Sequence, residues 1–403
     1  MISSIDASSL VNLMGSDAPH AVLDIRSRED FVAAQILGST TVPLAQLEER
    51  ITALVPVPSL PTIIVAGTDA EGSAAASAIE ASGFRDARWL AGGFDAWRGA
   101  GLPTIDGWSV PGKDFGERLL IEEPVPEIDA EALAELQESG VPLVVLDSRT
   151  PAEFERSCLP GARNVPGGQL PLEITDILAQ PGNEDATVVV NCAGRTRSIL
   201  GAFQLQRMGV PRVRALRNGT MGWILSGLRL EEGSAGWVPH ESSPQASAVA
   251  EAAADELVQS EGVPLISPAD LQRLQDRSGS DPLYVVDVRM PHEYSAGHIP
   301  VAITVPGGQQ PFSDDQLAVR AANIVTVCDG RARAIFAASI WRRMGFPRVS
   351  VLDGGIPAWT ASGFGLESGG EERPFGGGGL RSREEMIAYL EWEERLGDKY
   401  SAR

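Results

Sequence analysis

Three stretches of this 403-residue chain repeat one order of signals. Each stretch opens with an apolar run that ends in Asp-x-Arg, and an acidic residue and an aromatic residue follow at the same spacing. Each closes with a glycine, a second apolar run and a Gly-rich turn that leads to a tryptophan. The matching residues are Asp24, Arg26, Asp30 and Phe31 with Gly83 to Trp97, then Asp147, Arg149, Glu153 and Phe154 with Gly209 to Trp223, then Asp287, Arg289, Glu293 and Tyr294 with Gly345 to Trp359. The period is far longer than a solenoid repeat of roughly 20–50 residues, so the pattern predicts whole domains in tandem.

Short apolar runs alternate with helical patterns inside each repeat. Thr62 to Ala66, for example, precedes a helical pattern from Ser73 to Ala81, and a second apolar run follows from Arg88 to Leu90. Such alternation is typical of a parallel sheet covered on both faces, which binds ligands at the carboxyl ends of its strands. We expect an α/β fold of three tandem domains, each with a mainly parallel central sheet covered by helices, plus a C-terminal helix.

Composition places linkers between the expected domains. The last part of the chain is Gly-rich from Gly369 to Gly379, and Ser382 with Glu385 then forms a capping-box pattern that opens a helix through Leu396. The docking site of this helix, on a neighbouring domain or on another subunit, is left open. The expected boundaries are 1–103 (first domain), 104–127 (linker), 128–230 (second domain), 231–263 (linker), 264–366 (third domain) and 367–403 (Gly-rich linker and helix).

The second and third repeats each place a cysteine at the end of a β-branched run. Cys192 and Cys328 each open a loop with two arginines, and a helical pattern follows. Free backbone N–H groups at a helix start, together with guanidinium groups, favour negative charge, so we expect a lowered thiol pKa and an anion site. We interpret both cysteines as nucleophiles rather than as buried small hydrophobic residues. The candidate substrate-binding residues of the loops are Ala193, Gly194, Arg195, Thr196, Arg197, Ser198, Asp329, Gly330, Arg331, Ala332 and Arg333.

The first repeat lacks this chemistry. Gly67 stands where the other repeats have cysteine, and the loop after it contains Asp69 and Glu71 but no arginine. Because two acids replace two bases, the loop would repel an anion as well as lacking a nucleophile. We expect the first domain to be inactive.

A Pro-Gly-Gly-Gln turn occurs only where the cysteine occurs. The turns 166–169 and 306–309 correspond to Pro43-Leu44-Ala45-Gln46 in the first repeat. Two interpretations stay open: the glycines allow close approach to a substrate in the active pocket, or the turn needs a positive φ. The glycines concerned are Gly167, Gly168, Gly307 and Gly308.

The remaining chemistry-bearing residues favour structural roles. Cys158 stands where the third repeat has His298 and opens no loop, so we predict a structural thiol, with a resolving thiol as the alternative. The Asp-x-Arg pairs occur in all three repeats, so we predict structural ion pairs. Three cysteines without a Cys-x-x-Cys pair and four scattered histidines indicate neither a disulfide framework nor a metal site, and we expect no cofactor.

Charge and hydropathy limit the partners. A formal net charge of −21 argues against nucleic acid or an anionic membrane surface as the main partner. No apolar run approaches the roughly 20 residues of a membrane span, and residues 1–6 lack a basic stretch followed by an apolar one. We expect a cytoplasmic protein of unassigned oligomeric state.

The four ordered signals resemble the rhodanese (thiosulfate sulfurtransferase) family in its tandem multi-domain bacterial form. They are the Asp-x-Arg strand end, the segment Leu159-Pro160-Gly161-Ala162, the cysteine loop and the turn before tryptophan, and the resemblance covers nearly the whole chain. It implies transfer of sulfane sulfur from thiosulfate or a similar anionic donor, through a cysteine persulfide, to cyanide or a thiol. Loop N–H groups and the arginines would bind the donor and stabilise the leaving group, with ping-pong kinetics.

Two other functions are weighed against this one. Dual-specificity phosphatases share the rhodanese-type fold but leave five residues between cysteine and arginine, whereas Cys192 to Arg197 and Cys328 to Arg333 leave four. A non-catalytic persulfide carrier, sensor or scaffold fits the first repeat but does not explain two intact loops. Neither loop matches the Cys-Gly-Ser/Thr-Gly-Val-Thr or Cys-Arg-Lys-Gly pattern of the family, so donor and acceptor stay open. We favour Cys192 slightly, because Ser198 adds a hydroxyl at the helix start and Asp329 opposes a thiolate at Cys328.

Overall fold

Each repeat folds around its own five-stranded sheet. A computed structural model describes residues 3–313, 315–370 and 382–400 of the chain. All neighbouring strands are parallel, and every sheet has the same order from edge to edge: first, fifth, fourth, second and third strand. This confirms the predicted α/β fold of three tandem domains.

The first domain alternates strands and helices as expected. Its strands are β1 (Ser3–Ile5), β2 (Ala21–Asp24), β3 (Thr40–Thr41), β4 (Thr62–Val65) and β5 (Ala87–Leu90). Its helices are α1 (Ala7–Met14), α2 (Arg28–Ala33), α3 (Leu47–Leu54), α4 (Asp69–Ala81) and α5 (Gly93–Gly99), with a 3-10 helix at Leu44–Gln46. Helix α6 (Val110–Glu122) connects it to the second domain.

The second domain follows the same plan. Its strands are β6 (Glu127–Ile128), β7 (Leu143–Asp147), β8 (Arg163–Asn164), β9 (Thr187–Asn191) and β10 (Val213–Leu216). Its helices are α7 (Ala130–Ser139), α8 (Pro151–Arg156), α9 (Leu170–Leu178), α10 (Thr196–Arg207) and α11 (Gly219–Leu225). Helix α12 (Pro244–Glu261) connects it to the third domain.

The third domain has a 3-10 helix, Gln310–Phe312, in the place of α9. Its strands are β11 (Leu265–Ile266), β12 (Leu283–Asp287), β13 (Ile303–Thr304), β14 (Asn323–Val327) and β15 (Val349–Leu352). Its helices are α13 (Pro268–Asp276), α14 (Pro291–Ala296), α15 (Ala332–Arg343) and α16 (Gly355–Ala361), and α17 (Arg383–Tyr400) follows near the C-terminus. None of the described helices combines the length and apolarity that crossing a membrane requires.

The Asp-x-Arg signal forms a buried ion pair in every domain. Arg26 lies 2.6 Å from Asp24, Arg149 lies 2.7 Å from Asp147, and Arg289 lies 2.6 Å from Asp287. Each arginine also donates to a backbone carbonyl near the end of the following helix, at 2.6–2.7 Å. The pair therefore ties the strand end to the next helix, and the predicted structural ion pairs are confirmed.

The predicted linkers contain long helices that pack against the domains. In α12 the residues Ala246, Ala250, Ala254 and Leu257 are buried, at the spacing of one helical face. The alanine stripe lets α12 approach both α9 and α15. The second and third domains are thus held together by a helix as well as by direct contacts.

Helix α17 packs on α6, which settles where the terminal helix docks. Its start is capped as predicted, because Ser382 Oγ accepts from Glu385 N at 3.2 Å and Ser382 N donates to Glu385 at 2.8 Å. The helix continues to Tyr400 rather than ending at Leu396. Most of the expected Gly-rich linker, residues 371–381, lies outside the described residues.

Candidate active site

Both cysteines lie at the carboxyl end of the central strand of their sheet. Cys192 follows β9 and is 2% exposed, and Cys328 follows β14 and is 1% exposed. Each is followed by the start of a helix four residues later, α10 or α15. The first N–H groups of such a helix have no partner within the helix and point toward the loop that precedes it.

A glycine in the turn before the repeated tryptophan contacts the backbone of each cysteine. A Cβ atom on Gly219 would lie 2.3 Å from the carbonyl oxygen of Cys192, and one on Gly355 would lie 2.2 Å from that of Cys328. Gly93 stands in the same relation to Ala66, at 2.6 Å, and the strand register pairs Asp24 with Val65 just as it pairs Asp147 with Asn191. Ala66 therefore occupies the cysteine position of the first domain, and the expectation that Gly67 does so is wrong by one residue. The turn that sequence reasoning assigned to the fold therefore also shapes the cysteine loop, which is a role the pattern alone did not reveal.

The second arginine of each loop forms a bidentate ion pair with the acidic residue that follows Asp-x-Arg in the repeat. Arg197 donates to both oxygens of Glu153 at 2.8 Å, and Arg333 donates to both oxygens of Glu293 at 2.7 and 2.6 Å. These carboxylates also accept the N-terminal backbone N–H of α8 or α14. The acidic residue in the repeated pattern thus has a task in both cysteine domains: it fixes the guanidinium group beside the thiol.

The first arginine of each loop binds a helix outside the repeat. Arg195 donates to both oxygens of Glu117 on α6, at 2.6 and 2.8 Å, and to Glu394 on α17 at 3.2 Å. Arg331 pairs with α12, through Glu251 at 2.9 Å and Asp255 at 2.7 Å. All four loop arginines therefore carry carboxylate partners within the chain, and their predicted contact with a substrate stays a prediction.

The expected lowering of the thiol pKa is wrong for both cysteines as they stand in this structure. Burial raises the pKa of the Cys192 thiol, and the charge of Arg197 and the hydroxyl and N–H of Ser198 only partly oppose it. Burial raises the pKa of the Cys328 thiol to about 12, and the neighbouring Asp329 raises it further. The helix start acts in the expected direction, but desolvation of a thiolate outweighs it. The predicted unfavourable effect of Asp329 is found.

The glycines of the two Pro-Gly-Gly-Gln turns face one another. A Cβ on Gly168 would lie 2.6 Å from the Cα atom of Gly307, and one on Gly167 would lie 3.0 Å from that of Gly308. Close backbone approach is thus found, but between the second and third domains. The other interpretation, a turn that needs a positive φ, holds for one of the four glycines, because Gly308 has a φ of 86°. A part for these four glycines in a substrate pocket stays a prediction.

The comparison with known proteins agrees with this geometry. The family model described as the rhodanese-like domain matches residues 6–100, 129–226 and 267–362. The chain belongs to the rhodanese-like domain family. A sulfurtransferase of Allochromatium vinosum is 32% identical over 104 residues, which cover 26% of this chain and 92% of that protein. The crystal structure of a thiosulfate sulfurtransferase from Pseudomonas aeruginosa is similar at 26% identity and a TM-score of 0.81, covering 100% of this chain and 98% of that one.

In the first rhodanese-like domain, a side chain of the helix itself caps the N-terminus of α4. Helix α4 begins two residues after Gly67, and Glu71 closes a capping box in which its Oε2 accepts from Thr68 N at 3.1 Å. Asp69 accepts from Gly92 N at 2.9 Å. The two acids that distinguish this loop are therefore used for internal hydrogen bonds, and the inactivity of the first domain stays a prediction.

Cys158 lies in an isolated β-bridge rather than in a cysteine loop. Its backbone pairs with Glu231, with N–H to carbonyl distances of 2.9 Å in both directions, and His298 pairs with Glu367 in the same way. Burial raises the pKa of the Cys158 thiol. Both observations support the predicted structural role. No cluster of three metal-ligating side chains occurs among residues 3–313, 315–370 and 382–400.

Proposed function

We propose that the protein is a sulfurtransferase that carries sulfane sulfur on Cys192 and Cys328. The donor is a small anionic sulfur compound such as thiosulfate, and the acceptor is cyanide or a thiol. Both named relatives are sulfurtransferases, and the one similar over the full chain is a thiosulfate sulfurtransferase. The thiosulfate donor follows from that likeness and from the loop chemistry.

The recurrence of one cysteine environment in two domains carries the proposal. In each, the thiol interacts with the backbone N–H of the residue six positions later, Ser198 or Ala334. A guanidinium group that a glutamate holds in place also lies near the thiol. These donors are fixed before any substrate arrives, so they stabilise charge without reorganising. A structural cysteine would need neither the arginine nor the glutamate that holds it.

The chemistry proceeds in two displacement steps. The cysteine thiolate attacks the outer sulfur of thiosulfate, the S–S bond of the donor breaks, and sulfite leaves with the electron pair. The resulting persulfide is then attacked at its outer sulfur by cyanide or a thiolate, which restores the cysteine thiolate and releases thiocyanate or a new persulfide. Arg197 and Arg333 stabilise the negative charge on the sulfur that remains bound.

The raised thiol pKa makes the first step pH-dependent. Since burial keeps both thiols protonated near neutral pH, only a minor thiolate population can attack. The rate of persulfide formation should therefore rise as the pH increases above 7. The donor, once bound to the fixed N–H groups, then reacts with this minor thiolate population.

The decisive experiment is persulfide mapping in the full chain. The wild type, Cys192→Ser, Cys328→Ser and the double variant are incubated with thiosulfate, and each cysteine peptide is weighed by mass spectrometry while thiocyanate formation with cyanide is followed. We expect one added sulfur atom on Cys192 and on Cys328, partial loss of turnover in the single variants and complete loss in the double variant. Cys158→Ser is the matched control and should keep full turnover. Turnover that survives in the double variant, or wild-type protein that takes up no sulfur, would contradict the proposal.

A further inference from the structure

Glu393 on helix α17 is a buried carboxylate that packs against the loop after Cys192. Glu393 is 1% exposed, and its Oε1 accepts from the hydroxyl of Thr196 at 2.7 Å. Its Oε2 is buried without a hydrogen-bond partner among the described residues. That oxygen lies 3.4 Å from the point where a side chain on Gly194 would begin. The unpaired oxygen therefore lies against the loop where a donor would bind.

Extensive packing holds this carboxylate in place. Leu390 and Leu396 of α17 are buried, and a Cβ on Gly397 would lie 2.9 Å from Glu117 Cβ on α6. Glu394 binds Arg195 at 3.2 Å, on the other side of the loop start. Burying an unpaired carboxylate oxygen is costly, so the packing of α17 must outweigh that cost.

The other two loops also have a carboxylate at the helix start, but hydrogen bonds occupy it in the first domain, and hydrogen bonds together with an arginine occupy it in the third. Glu71 of the first domain caps its own helix through Thr68. Glu251 of α12 accepts from Ala332 N at 3.3 Å and from Arg331 at 2.9 Å, so a guanidinium group offsets its charge. Arg195, the counterpart of Arg331, points instead to Glu117 and Glu394. Glu393 is thus the carboxylate whose charge faces a cysteine loop without a direct ion pair among the described residues.

We propose that Glu393 determines the charge specificity of the Cys192 site. It makes donors with two negative charges, such as thiosulfate, load this site more slowly than sulfane donors of lower charge, such as the persulfide of a small thiol. This inference rests on the proposed function, in which Cys192 accepts sulfur from a donor. The reason is that a donor anion and the Glu393 carboxylate would share one buried helix start, where solvent screens their repulsion weakly.

The sulfur transfer that this site would favour balances without a further reactant. The Cys192 thiolate attacks the outer sulfur of a persulfide, R–S–SH, and the S–S bond of the donor breaks. The thiolate R–S⁻ leaves with the electron pair and takes up the proton displaced from the transferred sulfur. Cys192 becomes a persulfide, and the donor becomes a thiol.

Two alkylating reagents of nearly equal shape test the charge effect directly. Iodoacetate carries one negative charge and iodoacetamide carries none, and both react with the same thiolate, so the ratio of their rates cancels the degree of thiol ionisation. The rates are measured by peptide mapping at Cys192 in the full chain for the wild type and Glu393→Gln, which keeps the size of the side chain and an oxygen for Thr196. We expect the iodoacetate to iodoacetamide ratio at Cys192 to rise about tenfold in Glu393→Gln.

Two controls accompany this measurement. Glu391→Gln makes the same charge change on an exposed position of α17 and should leave the ratio unchanged. Cys328 in the same samples reports whether the third domain and the reagents behave normally, and its ratio should not move. A ratio at Cys192 that stays within about twofold of the wild type in Glu393→Gln, or the absence of any iodoacetate reaction in both proteins, would overturn the proposal.

Persulfide loading separates this proposal from the proposed function. Sulfur uptake at Cys192 is compared for thiosulfate and for the persulfide of mercaptoethanol, in the wild type and in Glu393→Gln. We expect Glu393→Gln to increase loading from thiosulfate about tenfold relative to loading from the persulfide. If Cys192 takes sulfur from neither donor while the alkylation ratio changes, the charge selection stands and the sulfurtransferase function of Cys192 is wrong. If both donors load Cys192 and the variant leaves their ratio unchanged, the function stands and the role of Glu393 is wrong.

Discussion

The Cys192 loop and the Cys328 loop have the same backbone frame but different surroundings. In both, a glycine of the next turn contacts the cysteine carbonyl and the second arginine binds the glutamate of the preceding helix. The first arginine shows the difference, because the Arg195 side chain is 4% exposed and the Arg331 side chain is 31% exposed. Helices α6 and α17 enclose the loop of the second domain, whereas α12 leaves the loop of the third domain partly open.

This difference teaches that the repeat unit supplies the nucleophile and the connecting helices supply its electrostatics. Glu117, Glu393 and Glu394 act on the Cys192 loop, and none of them lies within the repeated pattern. The charge beside Cys328 comes instead from Asp329 within the loop itself. Two copies of one fold can therefore differ in donor preference without any change in the frame that holds the cysteine.

The largest expected effect comes from removing the second arginine of each loop. Arg197→Gln leaves Glu153 buried without its partner and should destabilise the second domain by about 3–5 kcal/mol. Arg333→Gln should cost clearly less, because the Glu293 side chain is 24% exposed whereas that of Glu153 is 6% exposed. Hydrogen exchange of β9 and β14 in the full chain reports the two domains separately.

The control for this comparison is Arg212→Gln, which removes a surface pair with Asp185 and should change stability by less than about 1 kcal/mol. Equal losses of protection in Arg197→Gln and Arg333→Gln would show that solvent reaches both glutamates alike. The enclosure of the second loop would then have no energetic consequence.

The next effect is a pH dependence of the second domain that arises mainly beside the Cys192 loop, at Glu117. Burial raises the pKa of Glu117 from its ordinary value of 4.5 to about 7, against the opposing effect of Arg195. A carboxyl whose pKa is raised on folding contributes stability that is fully present below pH 4.5 and is lost as the pH rises through about 7. The second domain should therefore lose up to about 3 kcal/mol between those limits relative to the third.

Hydrogen exchange of β9 against β14 at pH 5 and pH 8, corrected for intrinsic exchange, measures this loss. Glu117→Gln cannot ionise and should reduce the difference between the two pH values, and the part that remains is expected from Glu173 and Asp114, whose pKa values burial also raises. If the variant keeps the wild-type pH dependence, another carboxyl causes it and the enclosure of Arg195 by α6 is not its source.

The local part of this design could be predicted from the sequence. The spacing of Asp147, Arg149 and Glu153 repeats in three domains, so the strand end, the ion pair and the helix after it follow from residues close in the chain. The loss of cysteine and arginine around Gly67 likewise identified the first domain as different. Hydrogen bonding over a few residues, as in the capping box at Thr150, is set by the residues themselves.

The parts that could not be predicted depend on contacts distant in the sequence. The turn at Gly168 packs against the turn at Gly307, and the sequence of either turn alone also fits a substrate pocket. The partner of Arg195 depends on where α6 packs, and α6 lies in a segment whose composition indicated a linker. The thiol pKa was expected to fall because charges and helix starts are visible in a sequence, while the burial that outweighs them at Cys192 is not.

A smaller effect should follow from removing the charge beside Cys328. Asp329 raises the pKa of that thiol, and it lies 2.7 Å from Arg333, whose charge it offsets. Asp329→Asn should therefore lower the thiol pKa and increase the rate of alkylation of Cys328 by iodoacetamide about tenfold at pH 8. Peptide mapping measures the rate, and Cys192 in the same sample is the control. An unchanged rate would mean that burial alone keeps Cys328 protonated, and the two loops would then differ less than their charges indicate.

The smallest effect separates a hydroxyl from a backbone N–H at the same position of the two loops. Ser198 acts on Cys192 through both groups, whereas Ala334 acts on Cys328 through its N–H alone. Ser198→Ala keeps the N–H and should slow iodoacetamide alkylation of Cys192 by about two- to fivefold, with Cys328 in the same sample as the control. The loss is expected to be small because the Ser198 hydroxyl also donates to the carbonyl of Arg195 at 2.7 Å, so it bonds to the thiolate only part of the time. The reciprocal Ala334→Ser should increase the alkylation rate of Cys328 by a smaller factor than Ser198→Ala decreases that of Cys192. The new hydroxyl can donate to the carbonyl of Arg331 instead of to the thiolate. If Ser198→Ala leaves the rate unchanged, the N–H accounts for the whole effect, and the preference for Cys192 must come from the absence of a neighbouring aspartate.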